Sequence, residues 1–211
     1  MQRSAARRRS SGFSLVETLV ALAVGLLVVA AAVVAVHGSL RENHRLALDA
    51  RLHQDLRSAV EVMTRELRRA GHWAGASAGR ALNPYSVAIA GPEATDHIAF
   101  AYSRDATEND ALDPNERFAY RLHRSAIEMQ LGQGNWQAMT DAGTMTVSSL
   151  RFTPQLQEIE LADARADGCQ PRLHVRSIAL RIDAHATADR SISRSMQSVV
   201  RLRNDHLADC R

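Results

Sequence analysis

Apolar residues are arranged in three successive ways along this chain: first unbroken, then at every third or fourth position, then at every second. The unbroken stretch, Phe13 to Val36, is 24 residues long, with Glu17 as its one charge and no proline. As a helix it spans roughly 36 Å, enough for a bilayer core of ~30 Å. Leu48, Leu52, Leu56, Ala59, Met63, Leu67 and Ala70 then recur at spacings of three and four, an amphipathic stripe. Arg51, Arg57, Glu61 and Arg65 fall on other faces, and Gly71 closes the run as a C-cap would. These two patterns predict one long helix from about Phe13 to Ala70, its first half in lipid and its second packed on a domain. His37-Gly38-Ser39 is the expected flexible or bent point. A basic amphipathic helix can instead lie on a membrane surface; direct continuation from a spanning segment favours the packed helix.

Beyond Gly71 the period changes. Residues 75–84 are rich in Gly, Ala and Ser and read as a loop. Alternating stretches bounded by turn residues follow at Tyr85–Ala90, His97–Tyr102, Arg117–His123, Ala126–Leu131 and Trp136–Thr140. Thr144–Phe152, Leu173–His185 and Ile192–Arg203 are further candidate strands. Ile178, Leu180 and Ile182 face one way, and Arg176 and Arg181 are expected on the other. A long helix followed by an antiparallel sheet defines an α+β fold. No internal repeat or nucleotide-binding fingerprint is present.

Charge changes this picture mainly at the N-terminus. The chain has 26 basic residues, all arginine, against 23 acidic ones. Arg3, Arg7, Arg8 and Arg9 fall within the first twelve residues, which contain no acid. Without them the remainder is close to neutral, so the basic pI is no argument for direct nucleic-acid binding. Arginines before an apolar span hold that end in the cytoplasm, which places the rest outside. An ordinary secretory signal has a shorter apolar region followed by its cleavage site. Here the candidate cut, after Gly12, precedes the apolar run.

Glu17 is unusual in such a run, because an ionisable group in a membrane segment costs about 2.5–3.5 kcal/mol on insertion scales. Near the cytoplasmic end it can snorkel to the interface. Alternatively, a cut between Gly12 and Phe13 creates an α-amino group at the same level, and that ammonium can neutralise Glu17 of a neighbouring chain.

Gly12-Phe13-Ser14-Leu15-Val16-Glu17 resembles the processing signal of type IV pilins and type II secretion pseudopilins. The resemblance implies cleavage after Gly12 by a prepilin peptidase, N-methylation of Phe13, and an assembly role for Glu17. Val34 stands where many major pilins have a helix-breaking proline, a departure that points to a minor pilin or pseudopilin. Glu66-Leu67-Arg68-Arg69-Ala70-Gly71-His72-Trp73 resembles the helix-end segment of PilW-type minor pilins, with His72 in place of the usual aromatic residue. The final stretch Val199-Val200-Arg201-Leu202-Arg203-Asn204 also resembles that family and pseudopilin J.

The implied organisation is a cleaved leader at 1–12, a transmembrane helix at 13–36, its amphipathic continuation at 37–71, and a periplasmic α+β domain at 72–211. The implied function is that of a non-catalytic minor pilin that primes or caps pilus assembly. Adhesion and twitching motility would belong to the pilus as a whole. The alternative is a minor pseudopilin of a type II secretion system. Expected partners are other pilins and minor pilins, the prepilin peptidase and an inner-membrane assembly platform, with no cofactor. A different class, a monomeric membrane-anchored binding domain or enzyme, predicts no processing at Gly12.

Other candidate chemistry is sparse. Asp105, Glu108, Asp110 and Asp113 concentrate oxygen ligands of the kind calcium takes. They lack EF-hand spacing, so a solvated acidic loop is the favoured reading and a calcium site the lesser one. His97, His123 and His174 fall in expected strands, and no HExxH, GxSxG or paired-His motif occurs. Cys169 and Cys210 lack metal-ligand spacing. In an exported domain they most simply form one disulfide, which has precedent in the C-terminal loop of some pilins; two free thiols are the other reading. Closure of such a loop contributes roughly 4 kcal/mol in the chain-entropy model.

Overall fold

The computed structural model describes residues 12, 14–73, 75, 83–85, 94–104, 108–161, 171–203 and 205–208. The chain divides into two compact units, with the boundary between Ala47 and Leu48.

Helix α1, Leu15–Leu67, passes through both units without a break. In the first unit its Leu and Val side chains are exposed, from Leu15 and Val16 to Val36, Leu40 and Leu46. This half is long and apolar enough to cross a membrane. The helix is not interrupted at the expected flexible or bent point, since His37, Gly38 and Ser39 are all helical. Glycine weakens a helix interior by about 1 kcal/mol relative to alanine, but unlike proline it keeps its amide donor, so the ladder continues.

In the second unit the stripe forms as its spacing requires. Leu52, Leu56, Ala59, Met63 and Leu67 are buried, together with Val60, and Leu48 packs partly against them. The α-helical ladder ends at Leu67 and tightens into i to i+3 bonds: Arg69 N–H to Glu66 O, Ala70 N–H to Leu67 O, and His72 N–H to Arg69 O. Gly71 adopts φ +77°, where an L side chain would be strained. Its N–H donates to the Ala101 carbonyl at 2.8 Å, tying the end of the helix to a strand.

Two antiparallel sheets pack on this part of the helix. The first has order β1-β2-β3-β4, formed by His97–Ala101, Arg117–His123, Ala126–Leu131 and Gln137–Ala138. The second has order β5-β6-β7, formed by Met145–Glu160, Arg172–Ala186 and Ser193–Arg201, with β8 (His206–Ala208) also paired to β6. Thr95 bridges to Phe152, and Val147 N–H donates to Ser125 O at 2.9 Å, so the sheets are joined by backbone bonds. One core joins the helix stripe to Ile98, Phe100, Phe118, Tyr120 and Ile127 of the first sheet. From the second it takes Phe152, Ile178, Leu180, Ile182 and Val200.

Several boundaries differ from the sequence reading. Pro84 and Tyr85 lie in a turn, and residues 86–90 are outside the described residues. The strand expected at Trp136–Thr140 shortens to two residues, because Thr140 turns its hydroxyl oxygen to accept the Ile127 N–H at 2.9 Å. β5 continues eight residues past Phe152 through an exposed stretch that β6 pairs along its whole length. Pro154 is tolerated there because β5 is an edge strand. Arg176 shares the core-side parity of Ile178, contrary to expectation; it lies beyond the aliphatic core and is half-buried, whereas Arg181 is exposed.

Candidate functional site

The residues expected to take part in processing and assembly fall at or just before the start of α1. Gly12 is exposed, with no atom within 4 Å of where a Cβ would be. Phe13 lies outside the described residues. The Ser14 carbonyl accepts the Thr18 N–H at 3.1 Å, and the Thr18 hydroxyl donates to Leu15 O at 2.8 Å, so the helix is closed from its first turn. Glu17 sits in that first turn and is exposed. An acid near a helix N-terminus is favoured by the macrodipole and by the unpaired amides there, which offsets part of the cost of burying it in lipid. Glu17 therefore stands, as one carboxylate, at the end of a surface of leucines and valines.

The acidic candidates lie elsewhere, in the 108–116 segment beside the start of β2. Glu108 Oε1 lies 2.9 Å from the Tyr85 hydroxyl and accepts the Asp110 N–H at 3.0 Å. Asp110, at φ +59°, accepts the Trp73 indole N–H at 2.9 Å. Asp113 accepts the Asn109 amide at 2.8 Å. Asp105 is outside the described residues. These carboxylates thus take protein donors and fix a loop; no group of three or more metal-ligating side chains occurs among the described residues.

The sequence reading missed the residue that organises this loop. Glu116 is fully buried, and its two oxygens accept the Arg104 N–H at 2.9 Å and the Asp113 N–H at 2.9 Å. Tyr85 is also fully buried, its hydroxyl 3.3 Å from Glu116 Oε1 and 3.1 Å from the Ala111 carbonyl. Burial first, then hydrogen bonding to Glu108, pushes the Tyr85 phenol well above its usual range, so it stays a proton donor. The signal was present in Asp113-Pro114-Asn115-Glu116: an Asp, a Pro at the first helical position and a Glu three residues on mark a capped turn. A 3-10 turn, Pro114–Glu116, forms there.

The three histidines singled out above are on the surface or half-buried. His97 lies 3.1 Å from Asp96, His123 3.0 Å from Glu128, and His174 3.5 Å from Glu158. Cys169 and Cys210 lie outside the described residues.

A long apolar helix with one acid in its first turn, continuing into a helix packed on antiparallel sheets, is the architecture of a type IV pilin-like protein. The prokaryotic N-terminal methylation motif matches residues 7–33, which takes in Gly12, Phe13 and Glu17. The family described as prepilin peptidase-dependent protein B matches residues 45–202. The chain belongs to the prepilin peptidase-dependent protein B family. Families of this type are structural subunits rather than enzymes. No curated protein and no solved structure matches the chain.

Proposed function

We propose that this protein is a minor type IV pilin of the PilW type, inserted in the inner membrane as a precursor and released into a filament by leader cleavage. The observation that carries the reading is the coincidence, within one methylation motif, of an open Gly12 and a first-turn Glu17 on an otherwise apolar, exposed helix. The peptidase cuts after Gly12 and Phe13 becomes the methylated terminus. Residues 13–36 span the bilayer, 37–71 continue the helix, and the domain from 72 onward faces the periplasm. The new ammonium of one subunit neutralises Glu17 of its neighbour, which sets axial register as well as charge. The subunit then primes or caps a pilus together with other minor pilins on an inner-membrane assembly platform. Glu108, Asp110 and Asp113 act as a loop anchor in this reading, and Cys169 and Cys210 close the C-terminal segment as a disulfide.

Glu17→Ala separates assembly from processing. The variant is expected to be cleaved normally but to be incorporated into filaments at least about tenfold less, as expected when an apolar segment loses its one ionic pairing. Wild-type levels of the variant in sheared filaments would refute the pairing. Incorporation into a secretion filament with no effect on piliation would reassign the chain to the pseudopilins.

A further inference from the structure

β7 is an open edge. Ser193–Arg201 pairs with β6 on one side, and among the described residues no backbone group of this strand bonds to anything on the other. Such an edge offers alternating N–H and C=O groups to any extended segment that reaches it. The chain has done little to cover it. Six of its nine side chains are exposed, and Val199, with 64% of its surface exposed, stands at the outer face.

The end of this edge opens on a cationic groove of about 560 Å³, lined by Arg68, Val199, Arg201, Leu202, Arg203 and Asp205. Asp205 is engaged with Arg201. Arg68, from the turn after α1, and Arg203 are exposed and have no ion-pair partner among the described residues. The strand itself carries Arg194 and Arg201 and no acid, and Arg194 is already neutralised by Asp49 at 2.7 Å.

From this edge and its charge we infer that β7 and the Arg68–Arg203 groove form a docking site for an extended acidic segment of a different protein chain. The strand would add to the sheet through backbone bonds, with carboxylates in the groove and an apolar residue on Val199. A second copy of β7 is the wrong occupant: the strand carries no acid, so it brings no carboxylate to Arg68 or Arg203, and antiparallel pairing would set its Arg194 end against the groove. Nucleic acid is disfavoured as well, because the groove is lined by aliphatic and charged side chains and offers no aromatic ring for bases to stack on. This site does not depend on leader cleavage or on Glu17.

The test uses the full-length chain in detergent micelles and three nine-residue peptides. The first alternates Val and Glu, the second is the same peptide N-methylated at alternate residues, and the third copies residues 193–201. The Val-Glu peptide is expected to bind and to slow amide exchange across 193–201. N-methylation, or Arg68→Glu with Arg203→Glu, should each weaken binding at least about tenfold. The third peptide should not bind. Equal binding of the methylated peptide would show charge attraction without strand addition. Equal binding of the 193–201 copy, or no exchange protection in β7 with the Val-Glu peptide, would likewise overturn the proposal.

Discussion

At Glu116 a carboxylate sits wholly out of solvent, held by two backbone amides and faced by the Tyr85 hydroxyl. It ties Arg104 to the 108–116 segment near the end of α1, where Asn83 bonds Gly71 O and Trp73 bonds Asp110. Glu116→Ala removes the acceptor of two part-buried amide donors, so it is expected to destabilise the domain by about 1–2 kcal/mol in chemical denaturation. An unchanged midpoint would mean that the loop is not part of the cooperative unit. Side chains of this kind are hard to read from sequence. Glu108, Asp110 and Glu116 have the composition of a solvated loop or an ion site, and only the fold supplies the donors that make them anchors. Glu17 is conspicuous for the opposite reason: a lone acid in an apolar run stands out without any knowledge of contacts.

Among the elements, α1 was the most legible, because both of its periods are long and need no partner to be recognised. Gly38 did not break the helix, since local propensity is small beside a continuous hydrogen-bond ladder. The central strands also followed from alternation, as at Ile178, Leu180 and Ile182. Their division into two sheets did not, because pairing is decided by partners far away in sequence. The outer end of β5 was hidden because its exposed residues lack alternation and are held by pairing to β6. Charge pairs across and along these strands set a pH dependence. Hydrogen bonds from His123 first and then Arg121 hold the Glu128 carboxyl below its usual range on the β2–β3 hairpin. Arg181 first, then Ser195, does the same for Asp183 on β6. A depressed folded pKa gives stability that is present above the unfolded value of about 4 and is lost as pH falls through the folded value. The unfolding midpoint is therefore expected to drop below about pH 4, and less steeply in a Glu128→Gln, Asp183→Asn double variant. Identical acid profiles for the two proteins would show that these pairs contribute nothing.

For the whole molecule, the two units answer to different solvents. The second buries an aliphatic and aromatic core between helix and sheets, whereas the first exposes leucines and valines that water does not tolerate as a monomeric surface. Lipid, and then neighbouring helices, are the surroundings that suit it. In the proposed function, cleavage after Gly12 would link these states: it would remove the four arginines of the first twelve residues and create the amine proposed to pair with Glu17. The most direct test is mass spectrometry of the chain isolated from cells with an active prepilin peptidase. The account predicts an N-terminal fragment that begins at Phe13 and carries one added methyl group. An intact Met1, or a terminus at any other residue, would contradict it.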